Sequence, residues 1–146
     1  MKKTLTVFTL LSLISCFSER DEYEIINNFL KEKNIRLENL SVEPYYFKNA
    51  VIYFKENEFK EQGFDIKSET KYTIDTTLIP YKTTDEKSIC ITKISKPLLS
   101  IDGKKSLIAI EKYWGSDMQL VIYLLCLEND KWIVKTNIKA EKESSH

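Results

Sequence analysis

Histidine is nearly absent from this sequence, because the single His146 is the last residue of a charged tail. A Ser-His-Asp triad, a Cys-His pair and a multi-histidine metal site are therefore excluded. Glycine is also scarce, and the three glycines are too isolated to form a phosphate-binding loop or a dinucleotide fingerprint. No C-x-x-C spacing offers zinc binding or redox chemistry. The composition predicts neither a metal site nor a bound cofactor.

Neither sign of charge is in excess, since 22 basic residues balance 22 acidic ones. The chain therefore has no basic surface of the kind that binds nucleic acid, and we expect no nucleic-acid partner. Long apolar runs are missing as well. The longest one after Cys16 is Leu120 to Leu127, far short of the roughly 20 residues that span a bilayer.

What the sequence does have is an N-terminal segment with the features of an export signal. Lys2 and Lys3 precede a short apolar stretch, which ends in Leu13-Ile14-Ser15-Cys16. These four residues resemble the lipobox of bacterial lipoproteins, in which a diacylglyceryl group is added to the cysteine sulfur before cleavage. The resemblance implies a signal peptide over residues 1–15 and one domain over 16–146, tethered through lipidated Cys16. An ordinary secretory signal with an incidental cysteine is the alternative.

The lipobox resemblance also implies a location. The protein would lie in the bacterial cell envelope, facing outside the cytoplasm, with the membrane as a partner through its acyl chains. Four acidic residues that follow Cys16 are similar to a surface-export signal of some Gram-negative lineages, which would allow surface display. The same carboxylates suit the first turn of a helix. They are Glu19, Asp21, Glu22 and Glu24.

A helix is predicted from Glu19 to Lys33, because Ser18 and Asp21 match a capping box and apolar residues recur at helical spacing. Residues 45–62 are ambiguous between strand and helix, and a second helix over 50–62 is favoured. From Lys71 onward the pattern predicts strands, with Asp102-Gly103 as a hairpin turn and a fraying tail from residue 139. The predicted strands are 72–78, 88–95, 97–101, 106–114, 118–127 and 132–138.

The expected fold class is therefore α+β, with an N-terminal helix or two packed on a curved antiparallel sheet of about five or six strands. The stretches 94–108, 113–115 and 127–134 look like a hairpin pattern of small uncharacterised exported proteins of bacteria. They are also similar to the end of cystatin-like and NTF2-like domains. That resemblance implies binding modules, immunity or inhibitor proteins, and occasionally enzymes, and it transfers no catalytic residue.

Carboxylates are the remaining source of acid–base chemistry. Asp75 and Glu111 are the more interesting ones, because each lies within a predicted strand, where a charge needs a partner or access to water. A solvated strand face is the plainer interpretation, and Asp102 and Asp117 suit hairpin turns. The full set is Glu56, Glu58, Asp65, Asp75, Asp102, Glu111 and Asp117.

Aromatic residues and cysteines supply the other candidates. Tyr113 and Trp114, beside a glycine turn, could form a recognition surface or belong to the core, whereas Trp132 is expected in the core. Cys90 and Cys126 lie in apolar runs, where they could be separate buried thiols or, in an oxidising compartment, a disulfide.

The sequence as a whole favours a non-catalytic, lipid-anchored extracytoplasmic lipoprotein that binds a protein or an envelope component. A small-ligand binder with a pocket between helix and sheet is one alternative. A carboxylate-dependent hydrolase is the other. The sequence leaves the oligomeric state undetermined.

Overall fold

The computed structural model describes residues 18–52 and 55–142. The predictions for the signal peptide and for Cys16 lie outside these residues. The helices are α1 (Glu19–Glu32), α2 (Phe47–Ala50) and α3 (Glu56–Lys60), with 3₁₀ turns at Ile66–Ser68 and Thr76–Leu78. The strands are β1 (Leu37–Glu38), β2 (Lys82–Thr83), β3 (Cys90–Ile94), β4 (Leu98–Leu99), β5 (Lys105–Trp114), β6 (Asp117–Glu128) and β7 (Lys131–Lys142).

The α+β fold class is confirmed by a five-stranded antiparallel sheet packed with helices. Strands β5 and β6 are central, β7 forms one edge, and β3 and β4 pair one after the other along the opposite side of β5. Strands β1 and β2 make a separate parallel pair. The turns are local, as predicted: Gly103 has φ +68°, and both Asn129 and Asp130 have positive φ between β6 and β7.

Helix α1 begins with the predicted capping box. The Asp21 backbone N–H donates to the Ser18 hydroxyl, and the Asp21 carboxylate accepts from the Ser18 backbone N–H. The helix buries an apolar face against one side of the sheet, where the rings of Phe29 and Tyr123 lie 4.8 Å apart. Among the described residues, no helix is long and apolar enough to cross a membrane.

The opposite side of the sheet is covered by the aromatic segment that the sequence left ambiguous. Tyr45, Phe47, Phe59 and Phe64 are buried there against β5 and β6. Both faces of the central strands are therefore covered, which explains their continuous apolar runs. The single helix predicted over 50–62 is not formed, because α3 is confined to Glu56–Lys60 and ends before Gly63, which has φ +80°.

Two further sequence predictions are wrong. Residues 72–78 do not form a strand: Asp75 caps a 3₁₀ turn by accepting hydrogen bonds from the Thr77 N–H at 2.9 Å and the Thr77 hydroxyl at 2.6 Å. The fraying predicted from residue 139 is wrong as far as Lys142, because β7 continues to that residue by pairing with β6; the rest of the predicted tail, 143–146, lies outside the described residues. The first error comes from a local side-chain cap that apolar alternation does not reveal, and the second comes from pairing with β6.

Cys90 and Cys126 are free thiols at opposite ends of the sheet. Cys90 pairs with Trp114 at one end of β5, whereas Cys126 pairs with Lys105 at the other. At about 3.3 Å per residue the two thiols are about 30 Å apart along the strand. A disulfide requires Cα atoms within about 7 Å, so this fold does not permit a bridge between them.

Candidate functional site

The sheet separates the two residues of the predicted aromatic pair, Tyr113 and Trp114. Tyr113 and Trp114 are consecutive residues of β5, so their side chains point to opposite faces. Tyr113 is half-buried and packs on the face opposite α1, while Trp114 is exposed at the end of the strand. The two rings therefore cannot form one recognition platform.

Glu111 lies on the same face as Tyr113, two residues earlier in β5, and only 6 % of it is exposed. It lines a cavity of about 340 Å³ between the sheet and the segments 42–49 and 71–73. We call this space the Glu111 cavity. Its other lining side chains that bear on chemistry are Glu43, Tyr45, Tyr46, Lys71, Tyr72, Lys93 and Tyr113.

Lys93 faces Glu111 across the β3–β5 pair, but its ammonium is already engaged. The Lys93 Nζ lies 2.8 Å from the Glu43 Oε2 and 5.9 Å from the centroid of the Tyr113 ring. The hydrogen bond from Lys93 holds the pKa of the Glu43 carboxyl below its ordinary value. Glu43 is therefore ionised and paired at the outer side of the cavity.

Burial raises the pKa of the Glu111 carboxyl above its ordinary value. A hydrogen bond with the Tyr113 side chain and the charge of Lys93 lower this pKa, but they offset only part of the desolvation. The Glu111 charge is thus under-compensated in the folded protein, which is the property that often marks a functional carboxylate.

Tyr45, Tyr46 and Tyr72 form one wall of the cavity, which we call the tyrosine wall. Hydrogen bonds hold it in place. The Tyr46 hydroxyl donates to the Tyr72 carbonyl at 3.0 Å and accepts from the Tyr72 N–H at 3.2 Å. The Tyr72 hydroxyl in turn donates to the Tyr45 carbonyl at 3.0 Å and accepts from the Lys96 N–H at 3.0 Å. Burial raises the pKa of Tyr72, so its phenol stays protonated at neutral pH. These bonds join three loops and fix the shape of the cavity.

Exposed aliphatic side chains lie in and next to β3, at the end of the sheet where the cavity is, and one of them lines the cavity. Val42 lines the cavity, Ile91 lies directly opposite Tyr113 on β3, and Ile89 precedes that strand. Their exposed fractions are 58 %, 49 % and 71 %. We call these three residues the apolar rim. Apolar side chains left exposed together are typical of an interaction surface.

The remaining predicted carboxylates have mostly local roles. Asp65, Asp75 and Asp102 accept hydrogen bonds from nearby backbone N–H groups and so shape turns. Glu58 lies beside a small apolar cavity of about 180 Å³ between α3 and the sheet. Within residues 18–52 and 55–142, no group of three metal-ligating side chains is present. Asp117 begins β6, and nothing is described of the Glu56 side chain.

Trp132 occupies a groove rather than the interior of the core. It is half-buried against the α1 side of the sheet and lines a groove of about 810 Å³ between α1 and the β6–β7 turn. The prediction of a core tryptophan is therefore only partly correct. Acidic side chains dominate the rim of this groove, namely Asp21, Glu24, Glu32 and Asp130.

Comparisons with protein-family models, curated proteins and solved structures found no match to this chain. The case for the Glu111 cavity as a functional site therefore depends on the geometry of the cavity alone. Sequence reasoning singled out Glu111 and Tyr113, but it missed Glu43 and Lys93. No local signal could reveal that pair, because 50 residues separate its members.

Glu111 gives a prediction for stability. Because its folded-state pKa lies above the ordinary value of 4.5, the folded protein binds this proton more tightly than the unfolded chain does. The resulting stability is fully present below the ordinary pKa and is lost as the pH rises through the folded-state pKa. Glu111→Gln cannot ionise, so we expect it to raise the Tm at pH 7 by a few degrees, about 4 °C for each kcal/mol gained.

The measurement is thermal unfolding of wild type and Glu111→Gln at pH 7 and pH 4. The gain should shrink at pH 4, where wild-type Glu111 becomes protonated. Glu128→Gln is the matched control, because Glu128 pairs with Lys135 at the surface and such pairs contribute about 0 to 1 kcal/mol. An equal Tm, or a lower one, for Glu111→Gln at pH 7 would show that the Glu111 charge is well compensated.

Proposed function

We propose that this protein is a non-catalytic lipoprotein of the bacterial cell envelope, anchored through Cys16, which binds another protein through the Glu111 cavity and the apolar rim. The observation that carries the binding site is a buried, under-compensated carboxylate in a cavity bordered by exposed aliphatic side chains. Folding alone favours neither feature, since burying a charge and exposing Ile89, Ile91 and Val42 both oppose stability.

A protein partner suits this surface better than a small molecule does. Protein interfaces concentrate their binding energy in a few well-packed side chains that seat in pockets and are ringed by contacts that exclude water. The tyrosine wall supplies fixed rings, and the apolar rim supplies surface that a partner would remove from water. The lipid anchor would hold this surface beside other envelope proteins.

The two alternatives have weaker support. A small-ligand binder would use a pocket between a helix and the sheet. The apolar cavity between α3 and the sheet, at about 180 Å³, falls below the roughly 300 to 1,000 Å³ of ligand sites. The groove beside α1 is large enough at about 810 Å³, but its polar side chains are exposed or half-buried, so it offers no desolvated group to orient a ligand. A carboxylate-dependent hydrolase needs a second carboxylate free to act on substrate. Glu43, which lines the same cavity as Glu111, is paired with Lys93.

The test is capture of a partner from envelope extracts of the source bacterium by the immobilised domain. Ile91→Asp places a charge on the apolar rim, and we expect it to reduce the captured partner at least tenfold, because a desolvated charge opposes binding there. Ile101→Asp is the matched control: Ile101 is 86 % exposed and lies in the turn between β4 and β5, away from the cavity.

Both variants should keep a Tm within a few degrees of wild type, because both side chains are solvent-exposed. Quantitative mass spectrometry of the captured proteins provides the readout. Equal capture by wild type and Ile91→Asp would remove the apolar rim from the binding site, and equal losses in both variants would indicate non-specific adsorption.

A further inference from the structure

Glu111 is the only charged side chain that is buried in the part of the chain that the structure describes. It lies three residues before the end of β5, opposite the buried, apolar Leu120 of β6. A carboxylate in this position is desolvated on the sheet side and open only toward the Glu111 cavity. Any further compensation of its charge must therefore come through the cavity.

The charges that face Glu111 do not complete this compensation. From β3, Lys93 directs its ammonium to the Glu43 carboxylate at 2.8 Å. From the segment 69–74, Lys71 lines the cavity but is exposed to solvent. The other titratable side chains that line the cavity are tyrosines, which carry no positive charge: Tyr45, Tyr46, Tyr72 and Tyr113.

We propose that the Glu111 cavity receives one cationic side chain, a lysine or an arginine, from the protein partner. Its ammonium or guanidinium pairs with the Glu111 carboxylate and lies against the tyrosine rings. This inference rests on the proposed function, because it names the chemistry by which the partner enters the site.

The size and lining of the cavity fit this occupant. A volume of about 340 Å³ is at the small end for ligand sites, which suits one long side chain. Rings that face a carboxylate recognise cations, because the ring face and the carboxylate both attract positive charge. The protein already places cations near these rings: the Lys48 Nζ lies 4.8 Å from the centroid of the Tyr46 ring, the Lys96 Nζ 5.5 Å from that of Tyr72, and the Lys93 Nζ 5.9 Å from that of Tyr113. The apolar rim would then cover the entrance once the partner is bound.

The test uses two probes of the same shape, N-acetyl-arginine methylamide and N-acetyl-citrulline methylamide, added to the ¹⁵N-labelled domain. Citrulline keeps the planar end group of arginine without its charge. We expect the arginine probe to shift the amide signals of Glu111, Tyr113 and Lys93 in a saturable way at millimolar concentration. The citrulline probe should cause no saturable shift.

Glu111→Gln should weaken binding of the arginine probe at least tenfold, while Glu128→Gln, the same change at the far end of β6, should leave it unchanged. Affinity in wild type should rise with pH as Glu111 ionises, and Glu111→Gln should remove that dependence. Equal binding of both probes, equal binding by wild type and Glu111→Gln, or no saturable binding of the arginine probe would each overturn the inference. If Glu111→Gln did not fold, the probe comparison in wild type would still decide.

The two proposals fail separately. If Ile91→Asp lost partner capture but wild type did not bind the arginine probe, the proposed binding surface would stand and the proposed cation site would be overturned. Arginine binding that depends on Glu111, with partner capture unaffected by Ile91→Asp, would establish the cation site and overturn the proposed surface.

Discussion

Replacing Cys16 with serine is expected to move the protein almost completely from the membrane fraction to the soluble fraction and to abolish fatty-acid labelling. The lipobox resemblance implies that a diacylglyceryl group is joined to the Cys16 sulfur by a thioether, and a serine hydroxyl cannot form that bond. A single acyl chain binds membranes only reversibly, whereas two or more anchor stably, so losing all of them should release the protein. No helix in residues 18–52 or 55–142 is long and apolar enough to replace the anchor.

The controls are Cys90→Ser and Cys126→Ser, which remove the other two thiols and should leave labelling and membrane association unchanged. The experiment combines metabolic labelling with a radioactive or clickable fatty acid and separation of membrane and soluble fractions. Undiminished labelling of Cys16→Ser would refute lipidation at Cys16. Membrane association that persists without labelling would point to an uncleaved signal segment as the anchor.

The parts of the fold that the sequence predicted are those whose determinants are local. Helix α1 follows from a capping box and helical spacing within fifteen residues, and both are visible in the chain itself. The three hairpins of the last third follow from turn residues that tolerate positive φ, such as Gly103 and Asn129. Strand bounds then follow within a few residues, because each turn limits its neighbours.

The segment 41–81 could not be predicted, because its conformation depends on distant partners. The Glu69 carboxylate accepts hydrogen bonds from the backbone N–H groups of Phe47 at 3.1 Å and Lys48 at 3.2 Å and so fixes α2. The Tyr23 hydroxyl of α1 accepts from the Asp75 N–H at 2.7 Å. Such bonds satisfy backbone groups in loops that have no ladder or helix of their own.

The candidate site likewise combines a residue that the sequence singles out with residues that only the fold brings beside it. A charge within an apolar strand singles out Glu111 in the sequence, where a solvated strand face is the plainer interpretation; that interpretation is wrong for Glu111, because only 6 % of the residue is exposed. Its environment comes from residues brought together by strand register and loop packing: Lys93 from β3, Glu43 from the loop before α2, and Tyr72 from the loop between the two 3₁₀ turns. Only the register of β3 on β5 sets Lys93 opposite Glu111.

The run from Leu120 to Leu127 contains no signal that tells its inner side chains from its outer ones. The structure makes this distinction on a single face of β6: Leu125 is fully buried under α1, whereas Leu127, two residues later, is 39 % exposed. Leu125→Ala removes the same atoms as Leu127→Ala, so the pair isolates the effect of burial.

Leu125→Ala is expected to lower the free energy of unfolding by about 2 to 5 kcal/mol, because it combines the lost apolar transfer with a cavity that a close-packed sheet and helix cannot fill. Leu127→Ala should lower it by less than about 1 kcal/mol, since the side chain already meets water. Urea unfolding of both variants and wild type measures the difference, with unchanged slopes as the check on two-state behaviour. Similar losses in the two variants would mean that α1 does not cover Leu125 more closely than Leu127 on this face of β6.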